Sequence, residues 1–261
     1  MNRLDQARDS LEQALTADPG NPDHYLDLST ILGNQGETGL AIQLITKGLQ
    51  HGVEENRLQV QMGLLYEKSR DFGEAERWYQ TALKTERTVR PAYIALARLL
   101  LATERRKQAL DLLANATRSF PNDPLLEYMY GSELLDSTRE SDPEQLERAE
   151  TVLLKALELN PFYANTHYVL GRLYLKRGDD QTARNYFERA CAFNPKHTDA
   201  YYQWLRIAVR RDERDKAAEL SEIVRRLHDE EKKQIQGTAT GVVEESLRGS
   251  PEGVVLTRST N

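Results

Sequence analysis

The residues best suited to catalysis or metal binding are scattered along the chain without a shared spacing. No two of the five histidines stand four residues apart, which is the spacing of a metal site on one helix face. The sequence has no Cys-x-x-Cys pair, no phosphate-binding glycine loop and no nucleophile elbow. The adjacent acids Asp179–Asp180 and Glu230–Glu231 would point in different directions on a helix. We therefore expect no enzyme activity, no metal and no cofactor.

Tyrosines and cations, in contrast, recur at helical spacing in the later half of the chain. Two triplets each combine one tyrosine with two cations four residues apart: Tyr168, Arg172 and Lys176, and Tyr202, Arg206 and Arg210. Tyrosine and arginine dominate binding hot spots because each offers contact area together with directional hydrogen bonds. Cations on a protein of net charge −6 indicate an acidic partner.

Bulk composition narrows the function classes further. A net charge of −6 and a pI near 5.5 disfavour nucleic-acid binding, which requires a basic surface. No run of 18 apolar residues is present, so we expect no membrane span, and the start Met1–Asp5 does not resemble a signal peptide. We therefore expect a cytoplasmic protein. The single cysteine, Cys191, is expected to be a packing residue.

The elements that position these side chains follow from an internal repeat. Seven alanines are separated by 34 residues in every interval but one, which is 40: Ala7, Ala41, Ala75, Ala109, Ala149, Ala183 and Ala217. We call residues at equivalent places of successive repeats a column. A bulky column lies four residues after the alanines and a second small one seven after, so all three share one helix face. A fixed period of this length is typical of stacked helical units.

An earlier apolar stripe in each period predicts a second helix that precedes the alanine helix. Polar turns such as Asn34–Gly36 and Arg177–Asp179 separate the two helices, with a glycine suited to the left-handed conformation. Pro19, Pro121, Pro161 and Pro195 follow four of the alanine helices. Each period is thus predicted to be a helical hairpin with a first and a second helix.

The chain resembles the tetratricopeptide repeat family on these residues. The best copy, Ala164 to His197, carries the family's Leu-Gly, Tyr, Ala, aromatic and Pro positions, with His167 where an aromatic residue is expected: Leu170, Gly171, Tyr174, Ala183, Phe187 and Pro195. The resemblance implies an all-α fold, a right-handed α-solenoid of antiparallel helix pairs. We predict six units after a lone second helix at 1–21: 22–55, 56–89, 90–123, 124–163, 164–197 and 198–231.

The irregular parts of the chain also lead to predictions. The longer interval is an insertion at Asp136–Pro143, where Asp142 and Pro143 form a good helix start, so the extra residues belong to a turn. The last helix is expected to cap the array and end over 232–236, with a disordered tail at 237–261. The helix in 1–21 lacks a preceding first helix. Either the chain is a fragment of a longer array, or this helix meets a partner or a second copy.

In the tetratricopeptide repeat family, which this chain resembles, the first helices line an inner, concave groove. That resemblance assigns eight residues of this chain to a groove for an extended, acidic peptide: Tyr128, Tyr168, Tyr202, Arg98, Arg172, Arg206, Lys176 and Arg210. The early part of the same surface is apolar, with Leu26, Val60 and Ile94. The alternative is that the tyrosines pack between helices while the arginines pair with nearby acids. The residues that clamp a terminal carboxylate in some family members are absent from this chain.

The function expected from this resemblance is a protein-interaction scaffold with a protein or peptide partner. The alternative is a regulatory or substrate-selecting arm of a larger enzyme or assembly machine. Self-association through the first helix is a further possibility for the partner.

Overall fold

The computed structural model describes residues 3–53, 55–86, 89–137 and 142–248, and side chains are discussed within 5–233 of these ranges. The described residues form thirteen α-helices and no β-strand. The predicted all-α fold of helix pairs is therefore confirmed. The chain divides into two compact units, unit 1 spanning Met1–Pro161 and unit 2 spanning Phe162–Asn261.

Unit 1 holds nine of the described helices, and consecutive helices within the unit pack together. Their bounds are α1 Arg3–Ala17, α2 Pro22–Asn34, α3 Thr38–Gln50, α4 Glu55–Lys68, α5 Phe72–Thr85, α6 Arg90–Ala102, α7 Arg106–Ser119, α8 Pro124–Ser137 and α9 Pro143–Leu159. Helix α4 also contacts α2 and α6. First helices of neighbouring hairpins therefore lie side by side, as stacked repeats require.

Unit 2 holds the other four described helices, and consecutive ones again pack together. Their bounds are α10 Ala164–Lys176, α11 Asp180–Phe193, α12 Thr198–Arg210 and α13 Arg214–Arg248. The assignment of these helices to six repeat units, with the borders given above, remains a prediction.

The three columns of the second helices form the interior. From α3 to α11 their side chains have at most 1% exposure, as in Ala75, Tyr79 and Ala82 of α5 or Ala183, Phe187 and Ala190 of α11. Burying these surfaces drives the hairpins together, because each element has no other way to remove its apolar stripe from water.

Small residues in the first helices allow the bulky column to approach closely. A Cβ added to Gly63 would lie 2.3 Å from the Tyr79 ring, and one added to Gly171 would lie 2.5 Å from the Phe187 ring. Neither distance is sterically possible. Glycine at these two places is therefore a packing requirement of the hairpin.

Five described turns inside hairpins each place one residue in the left-handed region, and this position repeats every 34 residues within each unit. Gly36 and Gly178 adopt it with φ of 84° and 77°, as the sequence predicted. Arg70, Glu104 and Asp212 adopt the same conformation at 61°, 59° and 55° without being glycine. The fold thus imposes this backbone geometry even where the side chain disfavours it.

Helix ends follow the predicted signals. The four prolines noted above each lie two residues beyond a helix end. Asp142 caps α9 by accepting a hydrogen bond from the Gln145 N–H, with Pro143 as the first helical residue. Of the predicted insertion, residues 138–141 lie outside the described residues.

One boundary differs from the prediction. Helix α13 was expected to end by 236 but continues through Gly237 to Arg248. A glycine in a helix interior costs only about 1 kcal/mol relative to alanine, so it does not end a helix unless it turns left-handed. The predicted disordered tail is therefore wrong over 237–248. Its remainder, 249–261, lies outside the described residues.

Candidate functional site

Helix α12 presents an exposed surface of one tyrosine, two arginines and one valine. Tyr202, Arg206, Val209 and Arg210 stand at i, i+4, i+7 and i+8 and therefore share one side of the helix. We call these four residues the α12 face. Tyr202 is 48% exposed and Val209 is 62% exposed, so the face offers apolar contact area as well as charge.

The two arginines of the α12 face differ in their partners. Arg210 is paired at 2.7 Å with Asp180, the first residue of α11. Arg206 donates only to the neutral Oε1 of Gln203, at 3.3 Å, and no acidic side chain among the described residues pairs with it. The positive charge of Arg206 is therefore available to an anion from outside the chain.

The tyrosine of α10, unlike Tyr202, packs against interior side chains. The ring of Tyr168 is half-buried, with its centroid 4.7 Å from the His197 ring and 6.0 Å from Phe187. The Arg172 guanidinium lies 5.8 Å from the centre of the Tyr168 ring, a cation–π distance. Lys176 follows one turn later and is half-buried. The Arg172 guanidinium is thus positioned by the Tyr168 ring.

His197 packs against Tyr168 and also caps the next helix. Its Nδ1 accepts the Ala200 backbone N–H at 3.3 Å and so caps the start of α12. Burial lowers the pKa of His197 below its ordinary value, although Asp199 opposes this shift. An uncharged His197 keeps Nδ1 available as an acceptor. The same residue therefore fixes the start of α12 and packs against Tyr168.

The remaining two predicted groove residues, Tyr128 and Arg98, belong to unit 1. Tyr128 is half-buried on α8 and Arg98 is exposed on α6. The other six lie in unit 2, on α10 and α12, and binding of a partner by any of the eight remains a prediction.

Sequence reasoning missed two features. Among the described large apolar side chains of unit 2, only Phe162 is more exposed than Val209, yet Val209 was not among the groove residues expected from the sequence. Its i+7 spacing from Tyr202 was the signal that could have found it. The second feature is Glu133, a nearly fully buried carboxylate that stands in a column otherwise made of Leu and Ile.

Two residues singled out from the sequence are packing residues. Cys191 is 4% exposed, and burial raises the pKa of its thiol to about 12, so it is an unreactive core side chain as expected. His167 is 3% exposed, with its ring 5.1 Å from the Phe193 ring, and takes the place of the family's aromatic residue.

In the part of the chain that the structure describes, no group of three or more His, Cys, Asp or Glu side chains is placed to hold a metal ion. No helix in the same residues is both long enough and apolar enough to cross a membrane.

Helix α1 differs from the other second helices in burial. Ala7, Leu11 and Ala14 are half-buried, whereas their column neighbours Ala41 and Ile45 are completely buried. Self-association through α1 remains a prediction. Sedimentation of the wild-type chain beside a Leu11→Glu variant tests this prediction. A monomeric wild-type chain would contradict it.

Comparison with known proteins shows which family has this fold. Tetratricopeptide repeat models match residues 1–50, 67–131 and 164–197, together more than half of the chain. Anaphase-promoting complex subunit 3 of Schizosaccharomyces pombe is 35% identical over 81 residues, which are 31% of this chain and 12% of that protein. The aligned part is therefore a small fraction of the relative's length.

Solved structures show the same fold. A structure of PilF from Pseudomonas aeruginosa aligns with a TM-score of 0.65 at 18% identity, covering 91% of this chain and all of that one. YrrB, described as a TPR protein with an unusual peptide-binding site, aligns with a TM-score of 0.54 at 20% identity, covering 74% of this chain and 96% of that one.

Proposed function

Because the chain belongs to the tetratricopeptide repeat family, we propose that it is a protein-interaction scaffold that binds an extended, acidic peptide segment on the first helices of unit 2. The observation that carries this proposal is the α12 face, where Arg206 is exposed and has no acidic partner among the described residues. The peptide-binding site described for YrrB is consistent with this class of ligand.

The roles of the side chains follow from their surroundings. Arg206 supplies an unneutralised charge for a carboxylate, while Tyr202 and Val209 supply exposed area for the neighbouring side chains of the peptide. Arg172 adds a second cation, positioned over Tyr168. Arg210 contributes less to net attraction, because it is already paired with Asp180. Tyr128 and Arg98 are the proposed contacts in unit 1.

A pair of charge reversals tests the proposal. Random dodecapeptides displayed on phage are selected on the intact chain, and the selected peptides are then titrated against the Arg172→Glu/Arg206→Glu variant. We expect enrichment of Asp and Glu, and a loss of about 2 kcal/mol or more, roughly 30-fold in Kd, for each hot-spot arginine. A peptide that the variant binds with unchanged affinity would contradict the proposed function.

The matched control reverses two exposed arginines elsewhere in unit 2. Arg189 lies on α11 and Arg225 on α13, outside the α12 face, and Arg225→Glu with Arg189→Glu changes the net charge by the same amount. Equal weakening by both double variants would show that binding follows the overall charge of the protein and not this surface. Added salt should weaken the wild-type complex more than the charge-reversed one, since exposed charges are screened.

The partial match to an anaphase-promoting complex subunit favours a second candidate function, an arm of a larger enzyme or assembly machine. On this alternative the chain recruits a substrate or holds neighbouring subunits, and other chains carry any chemistry. Chemical cross-linking of the tagged chain in its own cells, followed by gel filtration, distinguishes the two. A stable complex of fixed stoichiometry supports the arm, whereas exchange among many partners supports the free scaffold.

A further inference from the structure

A cleft lies on the second-helix side of unit 1, between α5 and α7. Its volume is about 650 Å³, within the range of roughly 300–1,000 Å³ that is usual for ligand pockets. Four leucines form its apolar lining: Leu83 of α5, Leu96 and Leu100 of α6, and Leu112 of α7. Arg98 stands two residues from Leu96 and from Leu100, so it lies on the opposite side of α6. We call this feature the α5–α7 cleft, and it is separate from the surface assigned to the acidic peptide.

Aromatic rings occupy the equivalent places of the hairpins on either side. Three columns meet at the cleft, and α6 and α7 contribute leucine to each of them: Leu96, Leu100 and Leu112. In the preceding hairpin two of these columns hold Tyr66 and Trp78, and in the following hairpin one of them holds Tyr130. Tyr66 and Trp78 pack against the same cluster as Leu49, the residue of α3 that corresponds to Leu83. In that hairpin the protein's own rings therefore fill the space that stays open beside α6 and α7.

The walls of the α5–α7 cleft carry two kinds of charged group. At one end the Arg105 guanidinium donates to the Glu76 carboxylate at 2.8 Å, and the Gln80 amide donates to it at 2.9 Å, so these charges are already satisfied. Farther along, Lys84 is exposed on α5 and Asp111 is exposed on α7. Among the described residues, neither of these two side chains forms an ion pair or a hydrogen bond. Two charges of opposite sign on facing walls complement a segment that carries one acid and one base.

An aromatic ring on a segment with both charges fits the lining and the walls of the cleft. We propose that the α5–α7 cleft is the docking site of a partner protein that inserts a tryptophan side chain between α5 and α7. The ring lies against Leu83 and Leu112, as Trp78 lies against interior residues in the preceding hairpin. An acid and a base near the tryptophan pair with Lys84 and Asp111. Tryptophan suits this role because one rigid side chain buries a large apolar area. This docking site goes beyond the proposed function and does not depend on it.

Two peptides that differ in one residue test the proposal. The first is acetyl-Ser-Glu-Ala-Trp-Ala-Lys-Ser-amide, and the second has Leu in place of Trp; both are also made with Glu and Lys exchanged. Each is titrated into the full-length chain carrying labelled Leu methyl groups and followed by NMR, because an aromatic ring shifts the signals of the methyl groups that it covers. We expect saturable upfield shifts, in at least one order of the charges, for four residues: Leu83, Leu96, Leu100 and Leu112. The Kd should be at least tenfold lower for the Trp peptide. Equal affinity for the Leu peptide, or no shift in either order, would overturn the proposal.

Two pairs of variants locate the binding. Leu112→Trp gives α7 the residue that α5 has in the same column, so it should weaken the Trp peptide at least tenfold, with a thermal melt to confirm folding. Leu112→Met keeps the side-chain volume and should bind like the wild type. Lys84→Glu should weaken the Trp peptide at least threefold, whereas Lys107→Glu, at an exposed position of α7 outside the cleft, is the matched control and should bind like the wild type. If Leu112→Trp unfolds, the two lysine variants decide. Unchanged binding by a folded Leu112→Trp, or equal weakening by both lysine variants, would contradict the proposed site.

Three further measurements distinguish this site from other occupants and from the proposed function. Indole alone should bind at least tenfold more weakly than the Trp peptide, and equal affinity would assign the cleft to a small aromatic ligand instead. Dilution of the chain without peptide should leave the four leucine signals unchanged, and shifts that follow its own concentration would assign the cleft to a second copy. The Arg172→Glu/Arg206→Glu variant should bind the Trp peptide as the wild type does, because neither arginine belongs to unit 1. If that variant loses the Trp peptide, the peptide binds on unit 2 and the proposed docking site is wrong.

Discussion

Units 1 and 2 share one packing scheme but display different chemistry at equivalent places of their first helices. One surface column holds four different residues in unit 1, Thr30, Leu64, Arg98 and Ser132, whereas both of its places in unit 2 hold an arginine, Arg172 and Arg206. Leu64 is 41% exposed, so part of the unit 1 surface presents an aliphatic group where unit 2 presents a cation. From α3 to α11 the interior columns of the second helices keep the same size classes in both units. A repeat of this kind fixes only its buried columns, and the specificity of each unit depends on the columns facing outward.

The interiors of the two units also differ in charge. Unit 1 buries two carboxylates of α8, Glu127 and Glu133, which pair with Lys155 and Arg106. The buried polar side chains of unit 2, among the described residues, are Thr166 and His167, and neither is a carboxylate. Unit 1 therefore carries a desolvation cost that unit 2 avoids.

The largest expected effect tests whether the two interiors are equivalent. Leu96 in unit 1 and Leu170 in unit 2 occupy one column and are 4% and 0% exposed. Replacing either by alanine leaves a cavity, so we expect each variant to lose about 2–5 kcal/mol of unfolding free energy. Urea unfolding followed by circular dichroism measures both.

Leucine-to-methionine variants at the same two places are the controls, since volume-conserving changes usually cost less than about 1.5 kcal/mol. A melt unchanged by Leu170→Ala, beside a large loss for Leu96→Ala, would show that the repeat register of unit 2 is misassigned.

The next effect concerns the buried charge of unit 1. Burial raises the pKa of Glu133 despite the opposing effect of Arg106, so its charged form is costly in the folded protein. Arg106 is 57% exposed and would stay hydrated without its partner. We therefore expect Glu133→Leu, which restores the apolar column, to stabilise unit 1 by about 1–4 kcal/mol at neutral pH.

The control for this prediction is Glu133→Gln, which removes the charge and keeps the shape. It should stabilise less than Glu133→Leu, because a buried amide still requires hydrogen bonds. A loss of stability in the leucine variant would mean that the pair with Arg106 is net favourable.

The repeat period predicted most of the fold because the residue types in each column indicate whether that place is buried. The alanine column, the glycine turns at 36 and 178 and the Asp142 cap all follow from local rules, and each is found in the structure. The end of α13 could not be predicted in this way. A single glycine in a helix shifts the local free energy by only about 1 kcal/mol, too little to decide between helix and coil from sequence.

The candidate site was predictable in composition but not in exposure. Tyr168 and Tyr202 occupy the same column, yet one packs against His197 while the other is 48% exposed. That difference depends on His197, a residue 29 positions away from Tyr168.

A smaller effect separates the two units by pH. His197 in unit 2 has a pKa below its ordinary value, so the unfolded chain takes up its proton first as the pH falls. Unit 2 should therefore lose stability as the pH drops below about 6.5. Glu133 in unit 1 has a raised pKa, so its stabilising contribution is complete below about 4.5 and is lost as the pH rises through its folded value.

The two units thus respond in opposite directions, which melting curves between pH 4 and 8 can resolve. His197→Asn retains a capping side chain and should remove the acid sensitivity of unit 2. Persistence of the full acid sensitivity in that variant would assign it to another group.

The smallest effect compares the turns of the two units. Glu104 in unit 1 and Asp212 in unit 2 hold the left-handed conformation, which disfavours a residue with a Cβ. Glycine there should stabilise by about 0.5–1 kcal/mol for Glu104 and by less for Asp212, because aspartate tolerates this conformation and Asp212 also accepts a hydrogen bond from Arg214 at 3.0 Å. Thermal melts of Glu104→Gly and Asp212→Gly, with Glu104→Ala as the control that keeps the Cβ, measure the difference. A larger gain in unit 2 would show that the strain depends on packing around the turn and not on the residue in it.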